Sequence, residues 1–455
     1  MNLIPPAELR REIGKIAIPV SLESVFQFSL GFINQVIVGT LGTATIAAVG
    51  LSNNLMFIGI LCLNTLGSGV AILVSRARGR GDATAMSHIT SVSTLFSGLL
   101  SLAFSLPISM WATPFLKAVG ASQEISEIGG PFLALIALTL PFITTSVVAS
   151  AVFRSTGHAR LPMVVTMTSM ALTPVLSWIF VVHFGIGAIG AAIAGLLTQG
   201  LRAVSLLGFL FLSRWGLRFR WLSWSEAKGI LSQISRLIWP LFTTELLFSG
   251  GSFLFALLFE RLGTEALATF QIVHTLEGVF LMASIGLNNA GTILVSQAIG
   301  RRDATAVWQM SQGVWQVAVV ASSLFGLLFA LSGLLLPTLY PNTTTNVHQW
   351  GLWAIVLHAV FQPVRVSNMT FFGILASGGD TRFLLFSDIV TVCFVGLPLA
   401  YFLAFNLGLG LWGIFLGRLL GEELVRISMF LWRYYQGRWC RLETGYFGPT
   451  PANVN

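Results

Sequence analysis

The sequence predicts an all-α polytopic membrane protein, with twelve transmembrane helices in two parallel six-helix repeats around a central cavity. Three observations predict it. Only 9% of the 455 residues are charged and 55% are hydrophobic, whereas a soluble domain carries about a quarter charged residues. Apolar stretches of about 20 residues, the length that crosses a bilayer, recur from end to end. Residues 72–85, ILVSRARGRGDATA, return as residues 293–306, ILVSQAIGRRDATA, with eleven of fourteen positions identical at an offset of 221.

The elements follow in order. A polar N-terminus (MNLIPPAELRREIGK) has no apolar signal-peptide core before residue 16, so the first span is expected to be retained. Spans are predicted near 16–39, 45–74, 88–111, 129–152, 161–183 and 187–212, then near 232–259, 266–299, 307–336, 349–375, 383–405 and 411–432. Residues 1–212 form a predicted N-lobe and residues 232–455 a C-lobe with a tail. Between them, residues 213–231 are basic, and their Trp215, Trp221 and Trp224 suit a linker lying along the bilayer surface.

The duplication extends beyond one loop. Pro19 matches Pro240, and LGT at 41–43 matches LGT at 262–264, at the same offset. With one insertion, FRSTGHAR (153–160) answers LASGGDTR (375–382). The same basic loop leaves the second span of each half, so the halves run parallel. A pseudo-two-fold along the membrane normal is expected, a geometry that belongs chiefly to transporters.

Charge placement gives the orientation. The formal charge is +8, yet the basic residues occupy short loops between apolar runs, which argues against a nucleic-acid partner. Nineteen of the 25 Lys and Arg fall on one predicted side, and only Lys117 and Arg261 on the other. The positive-inside rule then places both termini in the cytoplasm. Cys62, Cys393 and Cys440 show no CxxC spacing, so no disulfide framework or metal site is expected.

Taken together, Pro19 with VGTLGTATIAAVG (38–50), LGTEALATFQI (262–272), the paired GRxDATA loops and ASGGDTRF (376–383) resemble the multidrug and toxic compound extrusion (MATE) family over nearly the whole chain. The resemblance implies a V-shaped pair of six-helix lobes around a central cavity, and export of organic compounds on a sodium or proton gradient. It also implies a bacterial inner-membrane location. Departures stand beside it. Many bacterial members have an aspartate where this chain has Asn34, and Thr173 and Ser177 occupy positions that are Asn and Asp in some. Arg365 falls where some carry an acid in the tenth helix. These changes weaken or remove the usual N-lobe cation site. Glu245 matches a position that is often acidic, and Asp388 and Glu422–Glu423 resemble a bacterial subgroup.

A charge at the bilayer centre costs about 2.5–3.5 kcal/mol, so intramembrane ionisable groups should face a cavity or a partner. Glu23, Gln27, Gly31 and Asn34 form one polar stripe below Pro19, either a cavity wall with a titrating Glu23 or ordinary interhelical hydrogen bonding. Glu245, Ser249 and Ser252 share a face of the seventh helix, and Glu245 is the leading candidate for ion coupling. Glu277 on the eighth helix and Asp388 on the eleventh are further coupling candidates, with His274 a weaker one. His358, Gln362 and Arg365 share a face of the tenth helix. Arg365 is expected either to pair with Asp388 or Glu245, or to dock an anionic substrate group.

The leading function is secondary efflux of small organic compounds by alternating access, coupled to proton or sodium antiport. The alternatives are a lipid-linked precursor flippase or an organic-anion exporter of the same superfamily. No DDxxD, HExxH, GxSxG or P-loop pattern points to an enzyme or an ATP-driven pump. No cofactor is expected beyond the transported H+ or Na+, and the partners expected are the substrate and the bilayer, with the chain a monomer.

Overall fold

The computed structural model describes residues 5–39, 41–212, 219–442 and 445–446. Twelve long helical segments appear among the described residues. The first six are Ala7–Gly39, Thr43–Gly79, Ala83–Met110, Gln123–Ser155, Arg160–His183 and Ala188–Leu212. The next five are Trp224–Glu260, Thr264–Gly300, Ala304–Leu339, Thr345–Gly378 and Thr381–Asn406. The twelfth runs through Gly410–Gly417, Arg418–Leu424 and Val425–Tyr435 in succession. A two-residue strand pair, Arg441–Leu442 with Gly445–Tyr446, follows it.

Ten of these segments are long and apolar enough to cross a membrane by composition alone. The tenth and twelfth fall short because they carry His358, Gln362 and Arg365, and Arg418, Glu422, Glu423 and Arg426. Their polarity is internal, as shown below. The first helix starts at Ala7, ahead of the expected residue 16. The seventh starts at Trp224, inside the 213–231 stretch read as a linker. Trp221 and Trp224 are exposed; Arg214, Trp215 and Arg218 lie outside the described residues.

Packing divides the chain into two compact units, one of residues 22–238 and one joining residues 1–21 to 239–455. Both divisions fall inside a long helix, beside Pro19 in the first and Pro240 in the seventh. These are the two prolines related by the 221-residue offset. Proline lacks the N–H that would bond one turn back, so it is the natural place for a helix to bend.

In the unit that contains residues 239–455, the start of the first helix packs Ile13, Ile16, Ala17 and Val20 against Leu287, Ala290 and Ile293 of the eighth. Gly286 permits this approach, since a Cβ there would strike the Ala17 carbonyl and the Ser21 hydroxyl. Phe255, Phe259, Phe270, Phe329 and Phe415 fill the core beyond it. In the unit of residues 22–238, Val49, Phe132, Val181, Ala188, Ala191 and Ala192 form an apolar cluster.

The eleventh and twelfth helices meet through small residues. Gly413, Gly417 and Gly421 face Ala404, Ala400 and Gly396, and at each of the three glycines a Cβ would run into the facing backbone. Lipid tails are as apolar as leucine, so close backbone packing replaces the hydrophobic drive between such helices. Gly417→Leu is therefore expected to destabilise the protein by about 1–3 kcal/mol or more. The check is the thermal unfolding temperature of the purified variant; an unchanged value would refute the close-packing account.

The repeated loop has a local explanation. In GRGDATA and GRRDATA the aspartates are helix N-caps: Asp82 accepts from the Ala85 N–H at 2.8 Å and Asp303 from the Ala306 N–H at 2.9 Å. The residue before each cap is left-handed, Gly81 at φ 72° and its counterpart Arg302 at φ 59°. Glycine adopts that conformation freely and arginine does not. Removing the second cap with Asp303→Ala should cost about 1 kcal/mol, read as a lowered unfolding midpoint.

Candidate functional site

Helical spacing brings the intramembrane charges into three groups, each inside one compact unit. The first is centred on Glu23, 1% exposed, in the first helix. Arg154 of the fourth helix donates to its Oε2 at 2.6 Å, and Arg202 of the sixth to its Oε1 at 3.3 Å. Thr166 of the fifth helix donates to Oε1 at 2.9 Å, and Gln27 adds a bond at 3.3 Å from one turn along. Glu23 is thus dry and clasped by two guanidiniums. Asn34, further along the stripe, is half-buried, and its Oδ1 has no hydrogen-bond partner among the described residues.

The second group joins the eighth, tenth and twelfth helices. Arg365, 6% exposed, bonds the Glu277 Oε1 through one Nη and the Glu423 Oε1 through Nε at 3.1 Å. His358 Nδ1 lies 3.0 Å from the same Glu277 oxygen, with its ring edge-on to Phe415. Asn368 donates to Glu423 Oε2 at 2.8 Å and to its backbone carbonyl at 3.0 Å. Sequence spacing had offered Asp388 or Glu245 as partners of Arg365; the structure pairs it with Glu277 and Glu423 instead. Those carboxylates come from helices that sequence spacing cannot align. Gln362, one turn from His358, is fully buried, and neither of its amide atoms has a hydrogen-bond partner among the described residues.

A ladder of opposite charges on the twelfth helix forms the third group. Arg418 pairs with Glu422 at 3.6 Å and Arg426 with Glu422 at 3.1 Å, each at four-residue spacing. Arg426 also reaches Asp388 of the eleventh helix at 3.0 Å. The Arg418 guanidinium lies 5.4 Å from the Phe255 ring centre, a cation–π contact that suits a buried arginine.

Glu245 is the exception. It is half-buried in the seventh helix and forms no ion pair among the described residues, while its electrostatic neighbour is another carboxylate, Asp388. Ser249, one turn on, is also half-buried. The acids that lie well inside the other membrane helices, Glu23, Glu277, Asp388, Glu422 and Glu423, each have at least one guanidinium partner. Among the described residues no cluster of three or more His, Cys, Asp or Glu is arranged to hold a metal ion.

Arg154, Arg202, Thr166 and Asn368 were not among the sequence candidates. Arg154 had counted only as a loop charge, and nothing in its spacing links it to the first helix. The Arg418–Glu422–Arg426 ladder, by contrast, was readable from its spacing of four.

Two six-helix repeats whose polar groups are gathered in buried networks define a polytopic membrane transporter. The chain belongs to the MATE family: the family model, MatE, matches residues 19–179 and again residues 240–402. The two matches begin at the paired prolines. Among named proteins, the chain is 26% identical over 446 residues to the multidrug resistance protein NorM of Burkholderia vietnamiensis, covering 95% of each. It is 22% identical to the uncharacterized transporter YisQ of Bacillus subtilis, again covering 95% of each. Among solved structures, a mutant of the Vibrio cholerae MATE transporter VcmN superposes with a TM-score of 0.86 at 20% identity, covering 93% of this chain and 96% of that one. A MOP superfamily transporter from Pyrococcus furiosus, described as having a binding pocket of reversed polarity, gives 0.85 at 21% identity, covering 93% and 95%.

Proposed function

We propose that this chain is a secondary exporter of small organic compounds, working by alternating access and driven by inward movement of protons. The single observation that carries the coupling is Glu245, a carboxylate within a membrane-spanning helix that lacks a guanidinium partner among the described residues. A bare carboxylate in that setting must bind a cation or be neutralised by a proton, and a group that does so reversibly is what antiport requires. Both termini face the cytoplasm of a bacterial inner membrane, the protein acts as a monomer, and residues 1–212 and 232–455 are its two lobes.

The substrate reading follows the relative NorM, a multidrug resistance protein. The competing readings, a flippase or an organic-anion exporter, draw on basic groups available to an anion. Arg365, the group that would have served them, is already engaged by two carboxylates. In a host stripped of its own exporters, expression of the chain is expected to lower ethidium accumulation several-fold. Glu245→Gln, at equal membrane abundance, should abolish that effect. Equal efflux by the variant would remove Glu245 from the mechanism, and a wild type without effect on ethidium or other aromatic cations would remove the substrate reading.

A further inference from the structure

Charge balance in the unit that contains residues 239–455 points to a second titrating site, distinct from Glu245. The ladder of the third group is balanced, with Arg418 and Arg426 set against Glu422 and Asp388. The second group is not. Glu277 and Glu423 are ion-paired to one guanidinium, Arg365, with the imidazole of His358 beside them, and Arg418 and Arg426 also act on Glu423. Joining the second and third groups does not remove the imbalance: Glu277, Asp388, Glu422 and Glu423 face only Arg365, Arg418 and Arg426, and the net negative charge left is strongly disfavoured in a low-dielectric interior. One proton restores neutrality. The place for it is an imidazole nitrogen 3.0 Å from a carboxylate oxygen, both residues no more than 2% exposed.

We propose that Glu277, His358, Arg365 and Glu423 form a proton-binding site that loads and unloads during transport, so that one cycle carries two protons, one here and one at Glu245. The idea rests on the proton-driven reading above, but on different residues. The proton belongs to the group rather than to one atom, as it does wherever ionisable groups interact strongly. Arg365 holds the two carboxylates together, and His358 gives the proton a route away from Glu277. Among the described residues the second imidazole nitrogen, Nε2, and both amide atoms of Gln362 one turn further have no hydrogen-bond partner, which leaves polar atoms available to continue that route. The charged groups around His358 are Glu277 and His274 from the eighth helix, Arg418 and Glu423 from the twelfth, and Arg365 on its own helix. The ninth helix packs beside it and contributes no ionisable side chain between Ala304 and Ser332. Two protons exchanged for one monovalent organic cation move net charge, so the cycle would respond to membrane potential as well as to pH.

Difference titration of the purified full-length protein tests this without any substrate. Between about pH 5 and 9, wild type should release about one proton per molecule more than Glu277→Gln or Glu423→Gln, since removing either carboxylate balances the group. Where one variant does not elute as a monodisperse species, the other carries the same test. His358→Gln should shift the midpoint of that release. Glu245→Gln should remove a separate proton, additive with the first in the double variant. Wild-type release in Glu277→Gln and Glu423→Gln would overturn the second site. Wild-type release in Glu245→Gln alone would leave this site standing and count against the Glu245 reading instead.

Discussion

Arg365→Leu is expected to prevent accumulation of folded protein. The substitution leaves Glu277 and Glu423 buried without a guanidinium, and breaking a buried pair from one side costs about 3–5 kcal/mol. That is a large share of the 5–15 kcal/mol by which a typical protein is stable. The measurement is the monodisperse yield and the unfolding temperature in detergent. Arg365→Lys should rescue only part of the loss, because a single ammonium cannot bond two carboxylates as the planar guanidinium does. Replacing Arg365, Glu277 and Glu423 together by leucine or methionine should restore much of the yield, since neutral packing often equals a buried ion network in stability. That triple variant should nevertheless be inactive if the group also carries a proton. A well-folded, active Arg365→Leu protein would show that the contacts with Glu277 and Glu423 are incidental.

The second large effect is expected at Glu23. One carboxylate there neutralises two guanidiniums and accepts bonds from the fourth, fifth and sixth helices while belonging to the first. Glu23→Leu should leave Arg154 and Arg202 facing each other and again cost about 3–5 kcal/mol. The milder Glu23→Gln keeps the shape and an acceptor oxygen but not the charge. It should lower the unfolding temperature while leaving the pH dependence of transport as in wild type. A shifted pH profile in Glu23→Gln would make this residue part of the coupling machinery and not only a clasp. The contrast with Glu245 is physical: both acids lie in membrane helices, but one is surrounded by positive charge and the other adjoins a negative one.

How much of this was legible beforehand depends on the range of each interaction. The twelve helices and their duplication were readable because apolar length and a 221-residue repeat are written locally. The aspartate caps were present in the DATA motif, although their role as caps became clear only with the helix starts at Ala83 and Ala304. Helix ends were less legible. The first and seventh helices extend well past their apolar cores into polar sequence, where hydropathy carries no signal.

Among site residues, Glu23 with Gln27 and Arg418 with Glu422 and Arg426 are contacts at four-residue spacing, which a helical periodicity reveals. Arg365 with Glu277 spans 88 residues and joins two helices whose relative rotation the sequence does not encode. The same holds for Arg154 with Glu23, at a separation of 131. Candidate residues could therefore be chosen by the rule that buried charge needs a partner, but the partners themselves awaited the packing.

The most direct test of the central claim, that Glu245 carries the coupling proton, is proton release in inverted membrane vesicles that contain this chain. A pH-sensitive dye reports the response to added ethidium. Wild type should release protons on substrate addition, and Glu245→Gln should release fewer and lose net efflux. Undiminished release and efflux in Glu245→Gln, or efflux that follows a sodium gradient and ignores a proton gradient, would contradict it.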